Sequence, residues 1–314
     1  MTTLFRDEKG RAVMEAAYER FRARLPEAKE GALESRVVST RFGDTHVLVT
    51  GPANAPPLVV LHGALASSAH VLGELDSMRS AFRVYAVDVL GQSVKSADAR
   101  IDVRGTAYGE WLVDVLDGLG LATAHLYGIS WGGFVARKLI ELAPERVDRL
   151  VLMVPAGIVT GSAWKGFTRV GLPLSLYLAF PSEARLRRFG EGILTTLDDD
   201  WLPYIGEAFR AYKLDIRLPP LAEPAPLAAF TRPTLVIAAE EDVSFPGAAL
   251  LARAAVLFPH AETELLAATR HSPPTDDRSR AKLAERVTRF SAAERHAISP
   301  QLSPRALVVR LDTR

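Results

Sequence analysis

The chain of 314 residues contains no cysteine. This absence excludes disulfide bonds, thiolate metal sites and cysteine nucleophiles together. An excess of either charge is also missing, because 38 Lys and Arg residues and 37 Asp and Glu residues give a net charge of +1. Such a balance creates no strong field that attracts polyanions, so neither nucleic acid nor a membrane surface is an expected partner.

Long apolar runs are missing as well. The most apolar stretches, residues 150–159 and 170–180, are shorter than the roughly 20 residues that a membrane span requires. Residues 1–25 are rich in Arg, Glu and Asp and lack the apolar centre of a secretory signal. Together with the absent cysteines, these features predict a cytoplasmic protein, and its expected oligomeric state is a monomer or a homodimer.

Apolar runs of strand length alternate with longer helical patterns along most of the chain. Residues 58–61 and 150–154 are continuously apolar, which is typical of strands that a parallel sheet buries on both faces. The alternation predicts an α/β fold with a mostly parallel central sheet flanked by helices. Strands are predicted at residues 36–40, 45–50, 58–61, 82–87, 125–127, 150–154, 235–238 and 264–266.

The alternation stops at Pro155 and resumes at Pro233. Structureless connections longer than about 15 residues are uncommon in compact domains, so we expect a helical cap, or lid, inserted after the sixth strand. The predicted division is an N-terminal helical extension (residues 1–34), a core (35–155 and 233–295), a cap (156–232) and a C-terminal tail (296–314).

The segment Gly128-Ile129-Ser130-Trp131-Gly132 follows a short apolar run and leads into a helical pattern. A G-x-S-x-G sequence between a strand and a helix is the pattern of a nucleophile elbow, a sharp turn that holds the serine oxygen clear of the sheet. A Cβ at either glycine would collide across such a turn. The sequence therefore predicts Ser130 as a nucleophile.

A serine hydroxyl needs a base within hydrogen-bond reach, and the base needs an acid that orients it. On this architecture the base follows the acid along the chain. His271 lies just past the last predicted strand, where a loop at the carboxyl end of the sheet brings it over the nucleophile. His260 follows a helix end and His296 lies in the tail, so His271 is the predicted base.

The acid is expected after a strand that lies between Ser130 and His271. The predicted strand 235–238 runs into Glu240, Glu241 and Asp242. Asp242 lies furthest into the loop and is favoured, while its two neighbours are interpreted as solvated or ion-paired residues.

Attack on an ester carbonyl creates an oxyanion, which two backbone N–H groups have to stabilise. We expect these from Trp131, directly after the nucleophile, and from Ala64, in the loop after strand 58–61; His62 is interpreted as a structural residue of that loop. The acyl pocket is expected to include Leu65 and aromatic residues of the cap, namely Trp164, Phe167, Tyr177, Phe180, Trp201 and Tyr204. No cofactor is expected, and no metal constellation is evident in the sequence.

The motifs His62-Gly63, Asp88-x-x-Gly91 and Gly128–Gly133, with Asp242 and His271, resemble the α/β-hydrolase superfamily with a cap insertion. Three segments, His62–Ser68, Tyr85–Gly91 and Trp111–Asp117, are similar to bacterial carboxylesterases of the naproxen-esterase type. The resemblance implies a cofactor-free acyl-enzyme mechanism on a small, largely apolar ester.

Two departures from the superfamily pattern stand out. Gln92-Ser93-Val94-Lys95-Ser96 follows Gly91 where many members continue the pattern Asp-x-x-Gly-x-Gly-x-Ser, and Arg270 precedes His271 where many have glycine. Three alternatives stay open from the sequence: a carbon–carbon bond hydrolase, an aminopeptidase-like amide hydrolase, and a receptor for a small molecule with little turnover.

Overall fold

In the computed structural model, which describes residues 4–213, 215, 217–293 and 307–310, the described strands form one sheet. The order across the sheet is β1-β2-β4-β3-β5-β6-β7-β8-β9. The pairs β1–β2 and β2–β4 are antiparallel and all others are parallel. The strands are Glu34–Thr40 (β1), Gly43–Thr50 (β2), Pro57–Leu61 (β3), Arg83–Val87 (β4), Ala124–Ile129 (β5), Val147–Met153 (β6), Thr234–Ala239 (β7), Glu262–Ala267 (β8) and Leu307–Arg310 (β9).

This mostly parallel sheet confirms the predicted fold class. In β3 the side chains of Leu58 and Val60 pack into one hydrophobic cluster, and those of Val59 and Leu61 pack into the other. The two clusters lie on opposite faces because successive side chains of a strand point to opposite sides. The continuously apolar sequence of β3 therefore reflects burial on both faces.

Helices cover both faces of the sheet. They are Glu8–Arg24 (α1), Pro26–Lys29 (α2), Ser68–Leu72 (α3), Asp76–Ala81 (α4), Ala107–Gly118 (α5), Trp131–Leu142 (α6), Ala163–Gly166 (α7), Leu172–Ala179 (α8), Glu183–Gly190 (α9), Trp201–Ala211 (α10), Pro224–Leu227 (α11), Gly247–Leu257 (α12) and Asp277–Ala292 (α13). Within the described ranges, no helix has the length and apolar character needed to cross a membrane.

Five of these helices, α7 to α11, occupy the chain between β6 and β7. Of these, α10 packs against the N-terminal α1, where Arg20 lies 3.2 Å from Glu207 and Phe5 forms an isolated β-bridge with Tyr212. The division into extension, core, cap and tail stays a prediction. His296 lies outside the described residues, and the described part of the predicted tail is β9, which pairs with β8.

The sheet has a switch in strand order at β3. The chain passes from β3 to β4 on one side and then returns to place β5 on the other side. A crevice opens at the carboxyl ends of parallel strands where the order reverses in this way. Ala64 follows β3, Ser130 follows β5, and the loops after β7 and β8 carry Asp242 and His271.

Candidate active site

Ser130 occupies a strained turn between β5 and α6. Its backbone angles are φ 50° and ψ −109°, a region that residues other than glycine rarely adopt. A Cβ on Gly128 would lie 2.6 Å from the carbonyl oxygen of Gly132, and a Cβ on Gly132 would lie 2.0 Å from that of Leu61. The two glycines thus allow the backbone approach that the turn requires. The Ser130 N–H donates to the Met153 carbonyl at 2.9 Å, which ties the turn to β6.

A chain of hydrogen bonds links Ser130 to the loops after β7 and β8. The Ser130 Oγ lies 2.9 Å from Nε2 of His271. The opposite ring nitrogen, Nδ1, lies 2.7 Å from Oδ2 of Asp242. These are the contacts of a nucleophile, a base and an orienting acid.

The second carboxylate oxygen of Asp242 is held by the backbone. Oδ1 accepts from the N–H groups of Ser244 at 2.7 Å and Phe245 at 3.0 Å. Burial opposes ionisation of this carboxyl, but His271 and the two N–H groups outweigh that effect, so the pKa of Asp242 is lowered. Asp242 is therefore an anion in a fixed orientation at neutral pH.

The competing candidates have other contacts. Glu240 accepts from the Ala268 N–H at 2.8 Å, and the half-exposed Glu241 lies 3.8 Å from Nε of Arg270. His260 is exposed on the surface. Arg270 also donates to the Leu194 carbonyl at 3.0 Å, so its side chain turns toward the segment between β6 and β7.

The loop after β3 presents amide groups near Ser130. In the part of the chain that the structure describes, the N–H groups of Ala64 and Trp131 have no hydrogen-bond acceptor. The buried His62 uses both ring nitrogens in this loop: Nδ1–H donates to the Gly63 carbonyl at 2.7 Å, and Nε2 accepts from the Val89 N–H at 2.9 Å. His62 therefore supports the loop and is not available as a base.

Asp88, at the end of β4, is a buried anchor for the same loop. It accepts from Ser68 through both the backbone N–H at 2.9 Å and the hydroxyl at 2.6 Å, from the Ser93 hydroxyl at 2.6 Å and from His46 at 2.7 Å. Burial opposes ionisation, but these partners and His62 lower the pKa of Asp88. The anchor fixes α3 and hence the loop that carries Ala64.

Gln92, directly after Gly91, reaches the same loop. Its Oε1 accepts from the Leu65 N–H at 3.3 Å, and the Tyr204 hydroxyl donates to the Leu65 carbonyl at 2.9 Å. Leu65 has a positive φ of 58°. These two contacts hold Leu65 in a conformation that a leucine does not adopt unaided.

A cavity of about 230 Å³ opens beside Ser130. Leu65 and Trp201, two of the predicted pocket residues, contribute to its wall, as do Ala64 and His271. The other predicted pocket residues do not line it: Trp164, Phe167 and Phe180 are exposed, while Tyr177 and Tyr204 are buried in the packing. The Tyr204 hydroxyl is turned toward the Leu65 carbonyl.

Thr195 holds the backbone on both sides of His271, the predicted base, and sequence reasoning missed this contact. Its hydroxyl accepts from the Arg270 N–H at 2.9 Å and donates to the Ser272 carbonyl at 2.7 Å. Arg270 and Ser272 flank His271 in the chain. A threonine in a polar loop offers no sequence signal for such a contact, because its partners lie more than 70 residues away.

Across the described ranges, no three His, Asp or Glu side chains are grouped as metal ligands. Ser130, His271 and Asp242 are instead paired with one another or with the backbone.

Comparisons with known proteins agree with this architecture. The family described as alpha/beta hydrolase fold matches residues 56–177. The crystal structure of carboxylesterase CesB (YbfK) from Bacillus subtilis has a TM-score of 0.75 and 26% identity, and the match covers 90% of this chain and 99% of that one. That of naproxen esterase from the same organism has a TM-score of 0.74 and 26% identity, with coverage of 89% and 98%.

The sequence relatives match over a shorter segment. Carboxylesterase YbfK of Bacillus subtilis (strain 168) is 46% identical over 123 residues, which is 39% of this chain and 42% of that protein. The uncharacterized carboxylesterase nap of the same organism is 42% identical over 123 residues, or 39% and 41% of the two chains. The aligned segments thus span about two fifths of the length of these relatives.

Fold and comparisons together define the class: the chain has the α/β-hydrolase fold. Within that class it is similar to bacterial carboxylesterases of the naproxen-esterase type. The family match ends at residue 177, so Asp242 and His271 lie outside it and their roles rest on geometry.

Proposed function

We propose that the protein is a serine hydrolase that cleaves a carboxylic ester of a small, largely apolar substrate through an acyl-enzyme intermediate. The observation that supports this most strongly is the hydrogen-bonded chain from Ser130 through His271 to the buried Asp242. The similarity to the two Bacillus subtilis carboxylesterases favours an ester over other acyl substrates.

In the first half of the reaction, Ser130 Oγ attacks the ester carbonyl carbon while Nε2 of His271 takes the hydroxyl proton. Asp242 holds the Nδ1–H of the ring and stabilises the imidazolium that forms. The carbonyl oxygen becomes an oxyanion that accepts from the N–H groups of Ala64 and Trp131; the latter opens α6, where the helix dipole also favours negative charge.

The tetrahedral intermediate then collapses, and the carbon–oxygen bond to the alcohol breaks. His271 returns its proton to the leaving alkoxide, and the acyl group stays on Ser130. Water then attacks the acyl carbon with His271 again as base, which releases the carboxylic acid and restores the serine. Every proton is accounted for by His271 and water, so the reaction uses no cofactor.

The cavity supports the choice of a small substrate. Its volume of about 230 Å³ lies below the roughly 300–1,000 Å³ of sites for drug-sized ligands. Ile193, Leu194, Trp201 and Ile205, all from the segment between β6 and β7, contribute to its wall. We infer that residues 156–232 form the cap over the acyl group. We expect the protein to act in the cytoplasm as a monomer or as a dimer with a second copy of this chain.

The test is turnover of p-nitrophenyl esters of increasing acyl length by the wild type and by Ser130→Ala. We expect the wild type to turn over many times with a preference for short acyl chains, and Ser130→Ala to lose activity by three orders of magnitude or more. Wild-type turnover in Ser130→Ala would disprove the assignment. Release of p-nitrophenol that stops near one equivalent would instead indicate a receptor.

Matched substrates separate the remaining alternatives. A p-nitroanilide of the same acyl group reports an amide hydrolase, and a vinylogous 1,5-diketone reports a carbon–carbon bond hydrolase. We expect both to react far more slowly than the ester, since two relatives that are 46% and 42% identical over 123 residues are named carboxylesterases.

A further inference from the structure

The cavity that contains Ser130 is apolar over most of its wall, but besides His62, which is hydrogen-bonded within its own loop, two titratable side chains outside the proposed triad also line it. These are His70, in α3, and Glu74, just after that helix. Neither takes part in the proposed ester chemistry. Polar groups in an apolar cavity are costly unless they are hydrogen-bonded, so their presence calls for a ligand or a partner.

The structure provides Glu74 with no adequate partner. Nε2 of His70 lies 3.8 Å from the Glu74 carboxylate, and this distance is too long for a hydrogen bond. Among the described residues, no hydrogen bond reaches the Glu74 carboxylate. Its side chain is 27% exposed, and the residue lines the cavity.

A third polar group approaches from α13. Arg280 and Glu74 together line a smaller adjoining cavity of about 30 Å³, which has room for a group the size of a water molecule. Nε of Arg280 is buried and has no hydrogen-bond acceptor in the described part of the chain. Glu74, Met153 and Pro273 line both cavities, so the small one extends the large one away from Ser130.

His70 is fixed in place by aromatic neighbours. Its ring stacks on Trp201 at a centroid distance of 3.7 Å and meets the edge of Phe21 at 5.1 Å. Burial and the nearby Arg280 lower the pKa of His70 to about 3. The imidazole is therefore neutral near pH 7, and it offers one donor and one acceptor.

The charges of the cluster select against a charged ligand. Burial raises the pKa of Glu74 to about 7, although Arg280 acts in the opposite direction; Asp198 adds to the increase. An ammonium group in this place would be repelled by Arg280, and a carboxylate would compete with Glu74 for the same cation. A neutral group that both donates and accepts hydrogen bonds fits the two open partners.

We propose that Glu74, His70 and Arg280 form a subsite for a neutral hydrogen-bonding group, such as a hydroxyl, at the end of the substrate distant from the ester bond. The proposal rests on the ester hydrolysis inferred above. A hydroxyl there donates to the Glu74 carboxylate and accepts from Nε of Arg280, and both buried groups become satisfied. The subsite would make the enzyme selective for hydroxylated acyl groups.

The experiment compares esters that differ only at the far end of the acyl group. The probes are p-nitrophenyl hexanoate and 6-hydroxyhexanoate, p-nitrophenyl 3-phenylpropanoate and 3-(4-hydroxyphenyl)propanoate, and the 6-aminohexanoate and the adipate monoester as charged analogues. The measured quantity is the ratio of kcat/KM for the hydroxylated ester to that for its unsubstituted partner. It is determined for the wild type, Glu74→Leu, and Glu285→Leu, a control that removes an exposed glutamate of α13.

We expect the ratio for at least one pair to be about fivefold higher in the wild type than in Glu74→Leu, the size of one net hydrogen bond. Glu285→Leu should keep the wild-type ratio. If the ratios of the wild type and Glu74→Leu differ by less than threefold for both pairs of esters, the proposal is overturned. A wild-type preference for the aminohexanoate or the adipate also overturns it. If Glu74→Leu does not fold, the same ratio in Arg280→Met decides by the same threshold.

The failure of the subsite and the failure of the proposed function are distinguishable. If Ser130→Ala loses turnover of all six esters, the hydrolase assignment holds and the ratios alone judge the subsite. If Ser130→Ala hydrolyses them at the wild-type rate, the hydrolase assignment fails whatever the ratios are.

Discussion

The substitution Asp242→Asn, which replaces one carboxylate oxygen with an amide nitrogen, tests the acid of the proposed triad. In the native loop Oδ1 accepts two backbone N–H groups, from Ser244 and Phe245, and Oδ2 faces Nδ1 of His271. An asparagine has a single oxygen, and the two N–H donors require it at the Oδ1 position. The amide nitrogen then faces His271, so Nδ1 has to accept and the proton moves to Nε2.

That tautomer cannot take the proton of Ser130, because Nε2 is the atom that faces the serine hydroxyl at 2.9 Å. The same substitution in a well-studied Ser-His-Asp protease lowers kcat by about 10⁴. We expect a loss of 10³–10⁴ in kcat here, or roughly 4–5.5 kcal/mol at 1.36 kcal/mol per tenfold. The KM for p-nitrophenyl butanoate should change little, since Asp242 does not line the cavity.

The assay is steady-state hydrolysis of p-nitrophenyl butanoate near pH 7.5, with thermal unfolding as a check that the variant is folded. Glu241→Gln is the matched control: it removes the neighbouring carboxylate, which is half exposed and lies 3.8 Å from Nε of Arg270, and it should keep kcat within about twofold. A folded Asp242→Asn variant with kcat within tenfold of the wild type would refute the tautomer argument and the assignment of the acid.

Three further predictions concern the parts that support the site. Thr195→Val should lower kcat about tenfold with little change in KM, because the two hydrogen bonds of the Thr195 hydroxyl, to the residues on either side of His271, are lost. Thr195→Ser keeps a hydroxyl and should restore kcat. A Thr195→Ser variant as slow as Thr195→Val would contradict this role. Gly132→Ala should destabilise the fold by more than about 2 kcal/mol in urea unfolding, since its Cβ would overlap the carbonyl of β3. Gly166→Ala, at a helical position with open space, should instead stabilise it by about 0.5–1 kcal/mol, and equal effects would refute the steric reasoning. The pKa of Glu74 is about 7 when folded against 4.5 ordinarily, so wild-type stability should fall as pH rises from 4.5 to 7. Glu74→Gln removes that slope and should be more stable than the wild type at pH 8 by up to about 3 kcal/mol; a difference that does not grow with pH would count against the burial argument.

The sequence was most informative where local pattern and chemistry coincide. The G-x-S-x-G segment has one backbone solution between a strand and a helix, and the positive φ of Ser130 and the close contacts at Gly128 and Gly132 are what that solution requires. Buried strands were also recognisable, since a continuous apolar run of strand length has few other uses. The observed strand ends differ from the predicted ones by a few residues: β5 extends from Ala124 to Ile129, whereas the apolar pattern predicts residues 125–127.

The cavity wall was less predictable, because it depends on contacts between distant parts of the chain. Aromatic residues between β6 and β7 were expected to line it, but Trp164 and Phe167 are exposed while Trp201 faces the cavity. Composition indicates that a segment is apolar and does not indicate which face of a short helix meets the core. The position of Glu74 in the cavity wall was also not predictable from the sequence, because a glutamate after a helix is ordinarily a surface residue.

The contacts of residues 193–195 have a consequence for how the proposed cap acts. Ser272 donates its N–H to the Ile193 carbonyl at 2.9 Å and accepts from the Thr195 N–H at 3.1 Å, so this segment pairs with the backbone directly after His271. Ile193 and Leu194 also line the cavity. A displacement of this segment on substrate binding would therefore move the base as well as the pocket wall, and productive catalysis needs both within about 0.5 Å. Any opening of the proposed cap has to leave residues 193–195 in place and occur elsewhere in the segment, and substitutions of Ile193 and Leu194, which line the cavity, should change kcat together with KM.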